Sequence, residues 1–253
     1  MIKAEHLTKK YGSFIAVDDL SLRVENELFV FLGVNGAGKT TTIKMMNGLL
    51  RPGRGKVWIH GIDIQENPVK AKRMTGLVPE EPFLYEKLKT HEFIRFLADI
   101  YKIPPTLAKR RMDQLFDIFE LAEHADALID ELSHGTRRKV ALVGALIHDP
   151  EVLFLDEPTI GLDPESVRTF KTLLDGLIKQ GKTIFMSTHI LELAEKMCHR
   201  IGIIHQGKLH KVATLQQLKT ESGYNDLENI FLNIIGSKND SSLQSFLQGN
   251  AGT

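Results

Sequence analysis

Residues 28–50, LFVFLGVNGAGKTTTIKMMNGLL, decide the fold of this chain, because three glycines and a lysine separate two predicted regular elements. The apolar run LFVFL at 28–32 is typical of a buried strand. The residues from 39 to 50 have the apolar spacing of a helix. The side chains predicted to lie near one face of this helix are Ile43, Met45, Met46 and Leu49.

The loop between this strand and this helix matches a phosphate-binding pattern. Gly33, Gly38, Lys39 and Thr40 fit G-x-x-x-x-G-K-[ST] in the strand–loop–helix context that the pattern requires. Glycines let main-chain N–H groups approach phosphate oxygens, and the positive end of the helix faces the same place. Lys39 is therefore expected to reach the β- and γ-phosphates of a nucleotide, and Thr40 to ligate Mg²⁺. A glycine turn with a surface lysine, the alternative, does not explain why pattern and flanks agree.

A second apolar run, VLFL at 152–155, predicts another buried strand and is followed by two acids. Asp156 at the strand end can hold Mg²⁺ through water, and Glu157 is a candidate general base for an attacking water. Alone this pattern is weak, since a strand can simply end in solvent. Together with the loop that begins at Gly33, it predicts a nucleotide site with its own metal-holding carboxylate.

Composition limits the class of protein. The 253 residues carry a formal net charge of zero and one cysteine, Cys198. The charge balance disfavours a nucleic-acid partner, and a single cysteine excludes a disulfide framework and fits a reducing cytoplasm. The apolar runs are far shorter than the roughly 20 residues of a membrane span, and the N-terminal MIKAEHLTKKYG lacks the apolar core of a signal peptide. We therefore expect a cytoplasmic chain whose role at any membrane requires a partner.

Strand patterns that alternate with helix patterns predict an α/β fold with a mainly parallel sheet. Residues 86–148 differ, because they hold helix-period patterns with few strand signals, and they predict an inserted helical subdomain. The predicted divisions of the single domain 1–235 are a core of 1–85 and 149–220, a helical subdomain of 86–148 and a C-terminal helix of 226–235. The polar tail, 236–253, is expected to be disordered.

Two helices have more detailed predictions. The stretch THEFIRFLADIY at 90–101 is predicted to begin with Thr90 as its N-cap. Its predicted common side comprises Phe93, Phe96, Leu97 and Ile100. A further helix is predicted from Pro164 to Lys179, since proline suits the first position of a helix.

These pieces together resemble the ATP-binding subunit of an ABC transporter, over roughly residues 2–235. After the phosphate loop, ELSHGTRRKV at 131–140 resembles the family's signature, and VLFLDEPTIGLD at 152–163 joins the second acidic motif to the D-loop. STH at 187–189 completes the series. A phosphate loop alone is also compatible with a kinase or a GTPase. The further motifs, in this order, favour the ABC family instead. The resemblance implies a P-loop NTPase core with an N-terminal antiparallel β subdomain and an inserted helical subdomain.

The resemblance implies a role for each matching residue in nucleotide binding. Tyr11 is expected to stack on adenine, with an ordinary strand-end tyrosine as the alternative. The phosphate loop contributes Gly33, Asn35, Gly36, Ala37, Gly38, Lys39, Thr40 and Thr41. Ser133 and Gly135 are expected to contact the γ-phosphate of ATP held by an opposite subunit, although Ser133 also suits an ordinary helix cap. Asp163 is expected to meet the partner subunit, and it too suits a helix cap.

The same resemblance assigns catalysis to Glu157, His189 and Lys39, with His189 contacting the γ-phosphate and positioning the water. The implied Mg²⁺ ligands are Thr40, Glu80 and Asp156. Two positions depart from the family pattern. Glu80 stands where glutamine is usual, which adds a negative charge near the phosphates, and LSHGT at 132–136 replaces LSGGQ.

The implied function is that of an ATPase subunit with ATP and Mg²⁺ as cofactors. Two subunits, favoured as a homodimer, are expected to pair head to tail and drive a permease carried on another polypeptide at the inner face of the cell membrane. Export is favoured over import, because VPEEPFLYEKL at 78–88 resembles exporter-type subunits. Phe83, Tyr85 and Phe93 are candidates to receive the permease, with core packing as the alternative for Phe93. An ABC ATPase without transport and an ATP-binding assembly subunit with weak hydrolysis remain open.

Overall fold

The computed structural model describes residues 1–236 and arranges their strands in two sheets. Of the tail predicted to be disordered, 236–253, residues 237–253 lie outside the described residues. The strands are β1 (Ile2–Tyr11), β2 (Phe14–Val24), β3 (Leu28–Leu32), β4 (Arg54–Ile59), β5 (Ile62–Asp63), β6 (Thr75–Val78), β7 (Val152–Asp156), β8 (Thr183–Thr188), β9 (Arg200–His205) and β10 (Lys208–Ala213). The helices are α1 (Lys39–Met46), α2 (Pro68–Arg73), α3 (Thr90–Ile100), α4 (Pro105–Phe119), α5 (His134–Leu146), α6 (Pro164–Lys179), α7 (Leu191–Met197), α8 (Leu215–Ser222) and α9 (Leu227–Ile235).

The larger sheet is mainly parallel, as the sequence predicted. Its six strands lie in the order β10-β9-β3-β8-β7-β6, and every neighbouring pair is parallel except β10 with β9. Leu32 at the end of β3 pairs with Thr188 of β8, and Asp156 at the end of β7 pairs with Ser187. The carboxyl ends of these three strands therefore meet at one edge of the sheet, directly where the phosphate loop begins.

The smaller sheet is the predicted antiparallel β subdomain, with the order β2-β1-β4-β5. Together with α1 it packs on one face of the larger sheet, while further helices cover the other face. Alternate side chains of β3 show this arrangement. Phe29 and Phe31 join the core beneath the smaller sheet, whereas Leu28, Val30 and Leu32 join the core on the helical side. A strand buried on both faces explains why LFVFL is apolar throughout rather than alternating.

Helices α3, α4 and α5 lie between β6 and β7, where the inserted helical subdomain was predicted. The predicted buried side of α3 is only partly right. Phe93 is buried and Leu97 half-buried, but Phe96 and Ile100 are exposed, and Ile94 and Ala98 are buried instead. Apolar residues occupy more than one side of this helix, so its spacing alone does not identify the side that packs against α4 and α5.

The ends of two predicted helices need correction. Helix α1 stops at Met46 rather than residue 50, because Gly48 turns to a φ of 72° and leaves Leu49 exposed. The N-cap of α3 is Lys89 rather than Thr90, and Glu92 accepts a hydrogen bond from the Lys89 N–H at 2.9 Å. Thr90 is instead the first helical residue and is fully buried.

Two short helices, α2 and α8, were not predicted from the sequence. Helix α8 has a local signal, since Thr214 and Gln217 form a capping box. Helix α2 begins with a proline and spans six residues, which is too short for periodicity to reveal. Within residues 1–236, no helix is both long and apolar enough to cross a membrane.

Candidate functional site

The phosphate loop joins the end of β3 to the start of α1. Gly38 precedes the helix with a φ of 108°, and a Cβ there would lie 2.5 Å from the carbonyl oxygen of Ala16. Both the backbone conformation and the close approach therefore require glycine. The Lys39 side chain is buried, and its Nζ donates to the carbonyl oxygens of Gly33 at 2.7 Å and Val34 at 3.3 Å. The loop thus holds an ammonium group beside the N-terminus of α1, where both favour an anion.

The two acids after β7 have separate environments. Asp156 is buried, and one of its carboxylate oxygens accepts a hydrogen bond from the Ser187 hydroxyl on β8. The same Ser187 Oγ accepts the main-chain N–H of Glu157 at 3.1 Å. Ser187 therefore positions both acids, although the sequence analysis gave it no role of its own.

Glu157 lies at the centre of the candidate site. Its backbone adopts a φ of 48°, an uncommon conformation for a residue that is not glycine. This turn directs its buried carboxylate back over the sheet edge, where Oε1 lies 3.2 Å from Lys39 Nζ and 2.9 Å from His189 Nδ1. Glu157, Lys39 and His189 are the three residues predicted to carry catalysis. The Glu157 carboxylate brings them together, because it contacts the side chains of the other two.

A cavity of about 450 Å³ opens over the phosphate loop. Its lining residues are Tyr11, Phe14, Ala16, Asn35, Gly36, Gly38, Lys39, Thr40, Thr41, Glu80 and Glu157. Tyr11 and Phe14 face each other across the hairpin between β1 and β2, and both rings are more than half exposed. Phe14 was missed by sequence reasoning. Two exposed aromatic rings at the mouth of a phosphate-binding cavity are suited to stack on a base.

The donor set around the cavity fits a magnesium ion shared with a nucleotide. Thr40 and Glu80 line the cavity, and Asp156 lies at the end of β7 next to Glu157. Among the described residues, no group of three or more His, Cys, Asp or Glu could hold a metal alone. Mg²⁺ commonly takes one or two carboxylates and completes its ligands with phosphates and water, so this sparse set is suitable.

The signature and D-loop residues lie elsewhere, since Ser133, Gly135 and Asp163 do not line this cavity. Ser133 caps α5 by accepting the Thr136 N–H at 3.1 Å. A Cβ on Gly135 would lie 2.7 Å from the carbonyl oxygen of Gly161, so the start of α5 packs directly on the D-loop. His134 replaces a family glycine without backbone strain, because it adopts an ordinary helical conformation at the start of α5.

Asp163 caps α6, in agreement with the alternative role that the sequence allowed. Its carboxylate accepts the Ser166 hydroxyl at 2.6 Å and the Ser166 main-chain N–H at 2.8 Å. These hydrogen bonds lower the pKa of Asp163 to about 2. The exposed carboxylate is therefore ionised at neutral pH.

Comparison with known proteins identifies the family. A family model described as ABC transporter matches residues 17–160. The probable multidrug ABC transporter ATP-binding protein YbhF of Escherichia coli is 36% identical over 241 residues, which cover 93% of this chain and 42% of that protein. The Nod factor export ATP-binding protein I of Burkholderia pseudomallei is 35% identical over 229 residues, covering 90% of this chain and 75% of that protein.

Solved structures agree. An ATP-binding subunit of an ABC transporter superposes with a TM-score of 0.88 at 30% identity, covering 92% of this chain and 99% of its own. A second solved structure is the ATP-binding cassette MJ0796, a dimer in a post-hydrolysis state bound to ADP and phosphate. It superposes with a TM-score of 0.78 at 26% identity, covering 85% of this chain and 99% of its own. The chain belongs to the ABC transporter family and is similar to its ATP-binding subunits. The predicted family and fold class are thus confirmed. The chain spans only 42% of the length of YbhF.

Proposed function

We propose that this chain hydrolyses Mg-ATP to ADP and phosphate and thereby drives a membrane permease carried on another polypeptide. The observation that carries the proposal is the contact of Glu157 with both Lys39 and His189 at the edge of the phosphate loop. A carboxylate, a cation and an imidazole beside a phosphate-binding loop are the groups that water attack on a γ-phosphate needs.

In this mechanism Glu157 accepts a proton from the attacking water as the water oxygen bonds to the γ-phosphorus. The bond from the γ-phosphorus to its bridging oxygen breaks, and ADP leaves with that oxygen. Lys39 offsets the charge on the phosphoryl oxygens, and His189 orients the water with Glu157. Bound Mg²⁺, for which Thr40, Glu80 and Asp156 are the proposed ligands, would supply further charge stabilisation.

The signature and D-loop residues support a head-to-tail pair of subunits. Ser133 and Gly135 begin α5 away from the cavity of their own chain, so their N–H groups are open to a nucleotide held by another subunit. Asp163, two residues after the Gly161 that packs against Gly135, presents an ionised carboxylate. A second copy of this chain is the simplest partner, and ATP between the two subunits then couples hydrolysis to opening and closing of the pair.

The proposed permease contact is the segment before α3. Phe83 is 90% exposed and Tyr85 is 59% exposed, whereas Phe93 is buried at 5%, so only the first two can meet another protein. A groove of about 330 Å³ lies beside Phe83, between β6 and the helical block. Export is the proposed direction, because it agrees with the resemblance of VPEEPFLYEKL and with the relative named for Nod factor export. Through this contact the chain would lie at the inner face of the membrane.

Replacement of Glu157 by Gln tests hydrolysis directly. General bases contribute about 10²- to 10⁴-fold, so phosphate release should fall by that factor while Mg-ATP binding persists. Glu151→Gln is a matched control, because Glu151 precedes the opposite end of β7 and pairs with Lys182. Equal rates for wild type and Glu157→Gln would refute the catalytic role and favour an ATP-binding assembly subunit.

A further inference from the structure

Arg138 is an almost completely buried cation in α5, five residues after Ser133. Its side chain is 1% exposed, and its two terminal nitrogens donate to the carbonyl oxygens of Pro79, at 2.8 Å, and of Glu80. Its Nε is also buried and donates to no atom among residues 1–236. The guanidinium is thus held mainly by two main-chain carbonyls in the segment that follows β6.

Such a position is unfavourable for an arginine without a compensating charge. Burial lowers the pKa of the Arg138 guanidinium, while the carboxylates of Glu80 and Asp156 act in the opposite direction. Both carboxylates belong to the candidate Mg²⁺ ligands. The charge that stabilises Arg138 therefore comes from the same acids that the site presents to metal and nucleotide.

The negative charge of Glu80 explains why a cation at Arg138 would help the site. It provides a second carboxylate on the cavity that already contains Glu157, in a site that must accept the negative phosphates of ATP. A neutral side chain at position 80 would not create this repulsion. The guanidinium of Arg138 restrains the main chain around Glu80 by donating to the carbonyl oxygens of Pro79 and Glu80, and its positive charge interacts with the Glu80 carboxylate.

We propose that Arg138 is a positioning residue that holds Glu80 at the cavity wall and offsets its negative charge, so that Mg-ATP binds despite the additional carboxylate. The inference rests on the proposed function. It also links two parts of the chain mechanically, because Arg138 belongs to the same helix as Gly135 and follows the Ser133 cap.

A double-mutant cycle tests the proposal. Arg138→Met, Glu80→Gln and the double variant are compared by binding of a fluorescent ATP analogue at increasing Mg²⁺ concentration, with kcat and KM measured separately. Arg138→Met should weaken analogue binding by about tenfold at low Mg²⁺, the size of an ordinary coupling between neighbouring charges. The loss should shrink at saturating Mg²⁺, since the bound cation offsets the same charge.

Adding Glu80→Gln should restore most of the binding lost in Arg138→Met. Glu81→Gln is the matched control, because Glu81 is the adjacent exposed acid and does not line the cavity, and it should restore nothing. Arg138→Lys, which keeps the charge, should fall between wild type and Arg138→Met. If Arg138→Met does not fold, the same cycle is made with Arg138→Gln, which also lacks the charge but can still donate to a main-chain carbonyl, and its loss should again be restored by Glu80→Gln alone.

The outcomes separate the two proposals. If the Arg138 substitution causes the same loss of binding with and without Glu80→Gln, in a protein whose wild type binds and hydrolyses Mg-ATP, Arg138 is only a packing residue. That result would overturn this inference alone. A wild type that binds no Mg-ATP would overturn the proposed function itself.

Discussion

Removal of the Ser187 hydroxyl is predicted to damage both the stability and the activity of the site. In Ser187→Ala, the buried Asp156 carboxylate loses the hydroxyl donor, and the Glu157 N–H loses an acceptor at 3.1 Å. A hydrogen bond to a charged group contributes about 1.5–3 kcal/mol, so the free energy of unfolding should fall by about 2 kcal/mol. Because both acids lose a restraint, we expect kcat for ATP hydrolysis to fall by about tenfold or more.

Thr183→Val provides the control, since Thr183 lies at the opposite end of the same strand. Its buried hydroxyl oxygen accepts the Asn26 N–H at 3.1 Å and the N-terminal ammonium at 3.2 Å. This variant should lose comparable stability in urea denaturation but retain its kcat per folded molecule. An unchanged kcat in Ser187→Ala, or equal losses of kcat in both variants, would refute the idea that Ser187 positions the acids.

Three further changes give separate expectations. Gly135→Ala places a Cβ 2.7 Å from the Gly161 carbonyl oxygen and should therefore displace the start of α5. The rate of hydrolysis by the subunit pair should fall at least tenfold. Equilibrium binding of nucleotide by the monomer should stay unchanged. Phe14→Ala and Tyr11→Ala should each raise the Kd for ATP by about tenfold, because stacking on a base contributes about 1–3 kcal/mol; unchanged Kd values would exclude stacking. His148 is half-buried and its pKa is lowered to about 4 by desolvation, so its neutral form is favoured in the folded state. The stability that the neutral His148 contributes is fully present above the unfolded pKa, near 6.5, and is lost as the pH falls toward 4. The free energy of unfolding, measured by urea denaturation, should therefore fall by about 2 kcal/mol between pH 7.5 and pH 5. This loss should be absent in His148→Phe.

Much of the site could be predicted because its motifs are continuous in sequence. Gly38 and Lys39 fall between a wholly apolar strand and a helix, so their place at a sheet edge follows from local pattern alone. Helix α6 has the predicted limits, Pro164 to Lys179, because Asp163 caps it and proline occupies its first position. Local chemistry of this kind acts over a few residues and is visible without the fold.

The residues that were missed depend on contacts distant in sequence. Arg138 meets Pro79 and Glu80 across 58 or more positions, and neither end carries a signal of the contact. Ser187 belongs to the quoted STH motif, yet its bonds to two acids 30 and 31 positions away appear only when β7 and β8 pair. The spacing of apolar residues also could not identify the packed side of α3, because both buried and exposed apolar residues of this helix have helical spacing.

Retention of Mg-ATP by the purified chain, measured by equilibrium binding, is the most direct test that the loop at Gly33 holds the phosphates. Lys39→Ala should weaken this binding at least tenfold, since it removes a buried ammonium from the phosphate loop. Lys44→Ala, which removes an exposed ammonium from the same helix, should bind as the wild type does. If wild type retains no Mg-ATP, or if Lys39→Ala binds it as tightly as Lys44→Ala, the nucleotide site described for this chain is wrong.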